Sequence, residues 1–421
     1  MDINLLKQVI VEQKTYFEQD GDFVNRDALS QVKKFIDLPQ ALIISGIRRC
    51  GKSILLKQIK NAYFKDKTTY YFNFEEERIF GFTVKDFDML YEAFIELYGE
   101  SKVFFFDELQ NIQGWELFVR RMYDRGFKFL ITGSNSSMLS KELGSRLTGR
   151  YIPIELYPFS FKEFLLLSKF NIKSTVQTTQ ERAVLRKHFN EYLLNGGFPE
   201  YLLFNAPESL KTLYNNIIYR DTLVRYGISD EKSMRELCLF LFSNFSKEYS
   251  FNSLKKMLNL GSPNTVKSYI GHLESSYLVF STSKYSGSLK EQLYSNKKAY
   301  VIDSGLAKLM SFRLSIDIGR ILENIAFIEL KRRGHNIFYF REKNECDFII
   351  SKGNKNFDAI QVCASMQNND TKEREFKGLI EAAKALKLNS GLILTENEEF
   401  KEKIEGIYIS ALPLWKWLIA Q

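Results

Sequence analysis

The stretch Ile44–Leu56, ISGIRRCGKSILL, decides how the front of this chain is read. It holds the spacing G-x-x-x-x-G-K-S, with Gly46, Gly51, Lys52 and Ser53 at the fixed places, an apolar ALII run before it and a helix-like SILLKQIKNAYF after it. A loop that wraps a triphosphate turns its backbone N–H groups inward. It therefore needs glycine where a Cβ would block the approach, and it opens a helix whose N-terminus favours anions. On this reading Gly46, Ile47, Arg48, Arg49, Cys50, Gly51, Lys52, Ser53 and Ile54 form a cradle for ATP. Lys52 sets its ammonium on the β- and γ-phosphate oxygens, and the Ser53 hydroxyl ligates a Mg2+ that keeps most of its waters.

Working outward, TTYYFNFEEERIF alternates like a second strand, and Val103–Phe106 is a short apolar run of the kind buried on both faces of a sheet. That run ends on Asp107 and Glu108. Asp107 is placed to hold the Mg2+ through a water, and Glu108 to polarise the attacking water. A further buried strand, FKFLITG, closes on Ser134 and Asn135, which either sense the γ-phosphate or form a polar turn. Strands alternating with helices predict a parallel sheet whose ligands gather at the strand C-termini. In GSRLTGRYIPIEL a helical reading would put Arg146 and Arg150 on one face, as an arginine finger across a subunit boundary or as salt-bridge partners.

Composition bounds the rest. The 421 residues, 45% hydrophobic and 26% charged, suit two to four globular domains. Four scattered cysteines and three histidines argue against a disulfide framework and a structural zinc site. Neither a run of 18 apolar residues nor a secretory leader is recognisable, so a cytoplasmic setting without membrane contact is expected. Lys and Arg exceed Asp and Glu by 59 to 51, a net +8 that permits a polyanionic partner without demanding one.

Beyond the sheet the periodicity turns helical through LYPFSFKEFLLLSKF, GGFPEY and YRDTLVRY, which reads as a helical lid. FNSLKKMLNL, a GSP break and NTVKSYIGHLESSYLVF then resemble a winged helix-turn-helix. Lys255, Lys256 and Lys267 could neutralise phosphates there, and Asn264, Thr265 and Ser268 could approach a groove, although such modules also contact proteins.

GIRRCGKS, FFFDELQ, ITGSNSSML, LTGRY, LYPFSFKEF, GGFPEY, YRDTLVRY and KKAYVIDSGL together resemble the prokaryotic AAA+-type ATPases that carry the C-terminal domain of unknown function DUF4143. The resemblance spans nearly the whole chain. It implies a P-loop ATPase core, a winged helix and a C-terminal region like the PD-(D/E)xK restriction endonucleases. With the periodicities above, the expectation is an α/β protein with the core at 1–158, a helical lid at 159–231, the winged helix at 232–312 and the nuclease-like α/β region at 313–421. With the arginine pair the resemblance also implies a homo-oligomer, a hexamer being one stoichiometry it allows. Together with the basic helices, the expectation is an ATP- and Mg2+-dependent motor or switch acting on duplex or branched DNA. Nucleases of that fold hold a metal with a helix Glu, an Asp and a Glu or Gln; Glu323, Asp347 and Gln361 match those places. Cys363 stands where they present lysine, and a neutral thiol cannot stabilise a developing phosphorane charge, which predicts a region without nuclease activity. The alternatives left open are a non-enzymatic nucleotide-state regulator that binds a protein partner and a metal-dependent nuclease.

Overall fold

A computed structural model describes residues 2–136, 147–170, 178–311, 317–351 and 357–420. Its contacts divide the chain into two compact units, Met1–Leu156 and Tyr157–Gln421.

In the first unit, β1 (Ala41–Ser45), β2 (Tyr70–Asn73), β3 (Val103–Asp107), β4 (Lys128–Gly133) and β5 (Tyr151–Glu155) form an all-parallel sheet in the order β2-β3-β4-β1-β5. The helices α1 (Ile3–Glu18), α2 (Ala28–Phe35), α3 (Lys52–Tyr63), α4 (Phe87–Tyr98) and α5 (Trp115–Tyr123) belong to the same unit. Rings dominate the core. Phe104 lies 5.1 Å from Phe129, Phe106 lies 5.2 Å from Phe74, and Phe87 stacks on Phe118 at 4.6 Å. Each such fully buried ring stabilises the fold by about 2–3 kcal/mol.

The segment before β5 differs from the helical reading. Arg150 ends a turn that leads into the strand, and Arg146 lies outside the described residues. Pro153 explains why the strand was hidden: proline has no N–H to donate, so it is tolerated on an edge strand, which β5 is.

The second unit begins with helices α6 (Phe161–Leu167), α7 (Thr179–Asn195), α8 (Pro199–Phe204), α9 (Pro207–Asn216) and α10 (Glu231–Ser243), with a π-helical stretch at Ile217–Val224. Ser160 with Glu163 and Thr178 with Glu181 cap the first two through reciprocal side chain to backbone bonds. Then come β6 (Lys247–Tyr249), α11 (Phe251–Met257), α12 (Pro263–Ser275), β7 (Val279–Lys284), α13 (Leu289–Tyr294), β8 (Lys297–Val301), α14 (Ser304–Met310) and α15 (Ile318–Arg332). The chain continues through β9 (Asn336–Arg341), β10 (Glu345–Ser351), β11 (Phe357–Cys363), α16 (Asn369–Ala385), β12 (Ser390–Thr395), β13 (Phe400–Ile404), β14 (Ile407–Pro413) and α17 (Leu414–Ile419).

These strands make one mixed sheet of nine, ordered β13-β14-β12-β11-β10-β9-β7-β8-β6. The segments 232–312 and 313–421, read from sequence as separate domains, therefore share a sheet. Their seam is the parallel pairing of β7 with β9 at Ser283 and Phe338 and at Lys284 and Tyr339. An unpaired strand edge leaves backbone donors and acceptors without partners, and this pairing satisfies them. Asp303 ties two of the sequence motifs together. Its carboxylate accepts from the Gly197 N–H of GGFPEY at 2.7 Å and from the Leu306 N–H at 2.9 Å.

Candidate nucleotide site

The register of the first sheet brings the candidate residues to one edge. Ser45 pairs with Gly133 and Asn73 with Asp107, so the C-terminal ends of β1 to β4 line up there. The loop after β1 is held close. A Cβ on Gly46 would come within 2.1 Å of the Leu156 carbonyl oxygen, and Gly51 has φ +98, a conformation open to glycine and strained for other residues. α3 starts at Lys52. Arg48 pairs with Glu75 at 2.7 Å, Arg49 is exposed with φ 66, and Ile47 and Cys50 are buried. Ser53 is exposed and, with Ile54, Tyr71 and Asn73, lines part of a cavity of about 550 Å³.

Lys52 is only 4% exposed, yet its bonds are long: Nζ lies 3.3 Å from the Ile47 carbonyl oxygen and 3.2 Å from Glu108 Oε1. Burial works against its charge, but Glu108, Cys50 and Asp107 outweigh it and hold the ammonium above its usual range. The same pairing acts on Glu108. Burial alone would raise its carboxyl, whereas Lys52, Gln110 and Arg48 bring it below the ordinary carboxylate value. Gln110 donates to Glu108 at 2.5 Å and to Ser134 Oγ at 3.2 Å, which links the acidic pair to the end of β4.

Asp107 is fully buried. Burial and the Glu108 charge push its carboxyl up, while hydrogen bonds from Ser53 and Thr132 pull it down. Tyr71 donates to it as well, at 3.4 Å. Thr132 bridges the acidic pair: its hydroxyl donates to Asp107 and accepts from the Glu108 N–H at 3.0 Å. Ser53 and Asp107 are thus adjacent hard oxygen donors of the kind that suits Mg2+. Ser134 and Asn135 are buried immediately after β4. Arg150 stands at the other end of the sheet, beside the start of β1, where Nε donates to Asp124 Oδ1 at 3.0 Å.

Sequence reasoning missed Thr132, Gln110 and Arg26. Arg26, 4% exposed, donates from Nη1 to the Cys50 carbonyl at 2.6 Å and so braces the loop from behind. Nothing local marks it, because its partner lies on a different element.

In the second unit α11 and α12 are consecutive helices separated by residues 258–262. Lys256, Asn264, Lys267 and Ser268 are exposed there, while Lys255 and Thr265 are half-buried. Ser268 Oγ is also 3.1 Å from His272 Nε2. Farther along, Glu323 of α15 and Asp347 of β10 meet on Lys298 of β8, which sequence reasoning did not single out. Gln361 is turned elsewhere: its Oε1 accepts from the Asp347 N–H at 3.2 Å and its amide donates to Glu375. Cys363 is buried among apolar side chains, with its thiol 3.0 Å from the Ser365 carbonyl oxygen. All four cysteines are free thiols. Among the described residues no helix is long and apolar enough to cross a membrane.

A phosphate loop after the first strand of a buried parallel sheet, with an acidic pair ending the strand one removed from it, is the mark of the P-loop NTPases. The comparisons place the chain more closely. A family described as "AAA domain" matches residues 38–165, and domains of unknown function DUF8612 and DUF4143 match residues 186–316 and 318–417. Uncharacterized protein MJ1544 of Methanocaldococcus jannaschii is 37% identical over 99% of this chain and 98% of its own length. An uncharacterized protein of Haemophilus influenzae is 30% identical over 78% of this chain and 83% of its own. The chain belongs to this family, in which an AAA-type ATPase core precedes a C-terminal DUF4143 region.

Among solved structures, the replication initiator DnaA bound to AMPPCP and single-stranded DNA is similar at TM-score 0.28 and 14% identity, over 60% of this chain and 90% of that one. Aeropyrum pernix ORC1 in complex with DNA gives 0.26 and 12%, over 72% and 95%.

Proposed function

We propose that this protein hydrolyses ATP and uses the nucleotide state to change its grip on DNA, as a homo-oligomeric motor or switch. The observation that carries the reading is the Lys52–Glu108 pair at 3.2 Å beside the Ser53–Asp107 hydrogen bond. A γ-phosphate competes with Glu108 for the Lys52 ammonium. Once Lys52 turns to phosphate oxygens, Glu108 is released to orient a water, with Gln110, itself bonded to Ser134, holding its far side. Ser53 and Asp107 are the residues that would hold Mg2+, which supplies charge neutralisation on the β- and γ-phosphates.

Arg150 supports an oligomer. It stands at the end of the sheet opposite its own phosphate loop, so its role as a finger would be toward another subunit's nucleotide. The exposed Lys256, Asn264, Lys267 and Ser268 support duplex or branched DNA as the partner, and ATP and DNA together fit a cytoplasmic setting. The test is ATP turnover with duplex, single-stranded and branched DNA, alongside sizing with and without nucleotide. Turnover stimulated by one DNA class, in a particle larger than one chain, is expected. Negligible turnover unaffected by any DNA would instead point to a nucleotide-state regulator of a protein partner.

A further inference from the structure

Lys298 is 2% exposed, and its ammonium is surrounded by carboxylates. Nζ lies 2.6 Å from Glu345 Oε1, 2.7 Å from Glu323 Oε1 and 2.8 Å from Asp347 Oδ1. An ammonium has three protons, and here each has a carboxyl oxygen to accept it. The acceptors are themselves fixed. Tyr300 donates to Glu323 Oε1 at 2.7 Å, the Val362 N–H donates to Asp347 Oδ2 at 2.9 Å, and Arg341 lies 3.4 Å from Glu345 Oε2.

The nuclease resemblance implies a divalent metal against Glu323, Asp347 and Gln361, and the donor set does not fit one. Gln361 spends its oxygen on the Asp347 N–H, and the inner oxygens of Glu323 and Asp347 face an ammonium. A Mg2+ ion demands oxygens at about 2.1 Å in octahedral array, and a second cation placed on these oxygens would sit against the Lys298 charge. Among the described residues no group of three or more His, Cys, Asp or Glu side chains is placed to hold a metal.

We propose that Lys298 is a built-in cation: its ammonium fills the position between Glu323, Glu345 and Asp347 that a divalent ion would take, and so closes this cluster to metals. Where the nuclease resemblance would call for a lysine, at Cys363, the chain has a thiol, and the nearby positive charge is Lys298 of β8. Because β8 comes from the winged-helix block and β10 from the tail, the ammonium also locks the two halves of the nine-stranded sheet. This inference is independent of the ATPase reading.

Mn2+ binding measured by electron paramagnetic resonance, without nucleotide, tests it on the full chain. Wild type and Asp347→Asn are expected to bind Mn2+ alike, whereas Lys298→Ala gains about one ion per chain, lost again when Asp347→Asn is added. Lys298→Ala leaves the three carboxyl groups without their cation and its folding is at risk. Lys298→Ala with Glu345→Gln conserves the cluster's net charge and provides the second route to the same readout. Mn2+ binding by wild type that Asp347→Asn abolishes would overturn the proposal. So would a folded Lys298→Ala/Glu345→Gln protein that gains no ion. Failure of both variants to fold without metal, with recovery on adding Mn2+ but not Na+, would support it; failure with no recovery would count against it.

Discussion

Two buried lysines, one in each unit, show how differently a protein can use the same charge. Lys52 is 4% exposed and Lys298 is 2% exposed, and both face carboxylates. Lys52 makes two long contacts, one to a carbonyl and one to a single carboxylate, at the edge of a glycine-bearing loop. Lys298 has three carboxylates within 2.8 Å. The first arrangement leaves donor capacity that an incoming anion can claim, and the second leaves none. A buried cation marks a binding site when its own shell is incomplete and a structural lock when the shell is full.

The sharpest way to break this contrast is to remove each lysine. Lys52→Ala should lower ATP turnover by about 10³-fold or more, through loss of nucleotide binding, because the charge on the β- and γ-phosphates goes with it. Turnover and equilibrium ATP binding check this, and unchanged ATP affinity would remove Lys52 from the site. Lys298→Ala should instead cost stability, about 3–5 kcal/mol in denaturant unfolding, since it strands buried carboxylates without their cation. Its ATP affinity should stay near wild type if the variant folds. A stability loss at Lys52→Ala equal to that at Lys298→Ala would erase the distinction.

A smaller effect is expected on the surface of α11 and α12, where Lys256 and Lys267 are exposed, Lys255 is half-buried and their partner would be external. A protein carrying Lys255→Ala, Lys256→Ala and Lys267→Ala should bind duplex DNA more weakly. Its plot of log affinity against log salt should be shallower by about 2–3 units, reflecting lost phosphate contacts. A folded triple variant that keeps both affinity and salt slope would exclude this face.

The smallest effect concerns pH. Burial pushes the Asp303 carboxyl from 3.8 up to about 6, against the backbone N–H groups of Gly197, Leu306 and Gly305. With the folded value above the unfolded one, the contribution of this group is complete below about pH 4 and is lost as pH rises through about 6. The loss is bounded by about 3 kcal/mol. Thermal unfolding of wild type and Asp303→Asn from pH 4 to 7 should therefore show the wild-type advantage shrinking as pH rises. A constant difference would contradict the shift.

Much of the first unit was legible because its signals are local. Val103–Phe106 and the ALII run are apolar throughout, as strands covered on both faces must be, and the phosphate loop is defined by residues in immediate succession. β5 was hidden by Pro153, which reads as a breaker until the strand is known to lie on an edge. The shared sheet of the second unit was not legible, since the pairing of β7 with β9 joins residues far apart in sequence. Lys298 escaped for a related reason. A lysine inside KKAYV reads as solvent-facing, and only the fold brings Glu323, Glu345 and Asp347 around it. β13, β14 and α17 carried no signal strong enough to set them apart in the final stretch.

Glu108 and a γ-phosphate compete for the Lys52 ammonium, and Glu108 acts on water once phosphate takes the lysine. ATP affinity and turnover measured together on Glu108→Gln test this competition most directly. With a neutral amide in place of the competing carboxylate, Lys52 is more available, so ATP should bind at least as tightly as to wild type while hydrolysis falls by about 10²-fold or more. Weaker ATP binding, or turnover at the wild-type rate, would contradict the account.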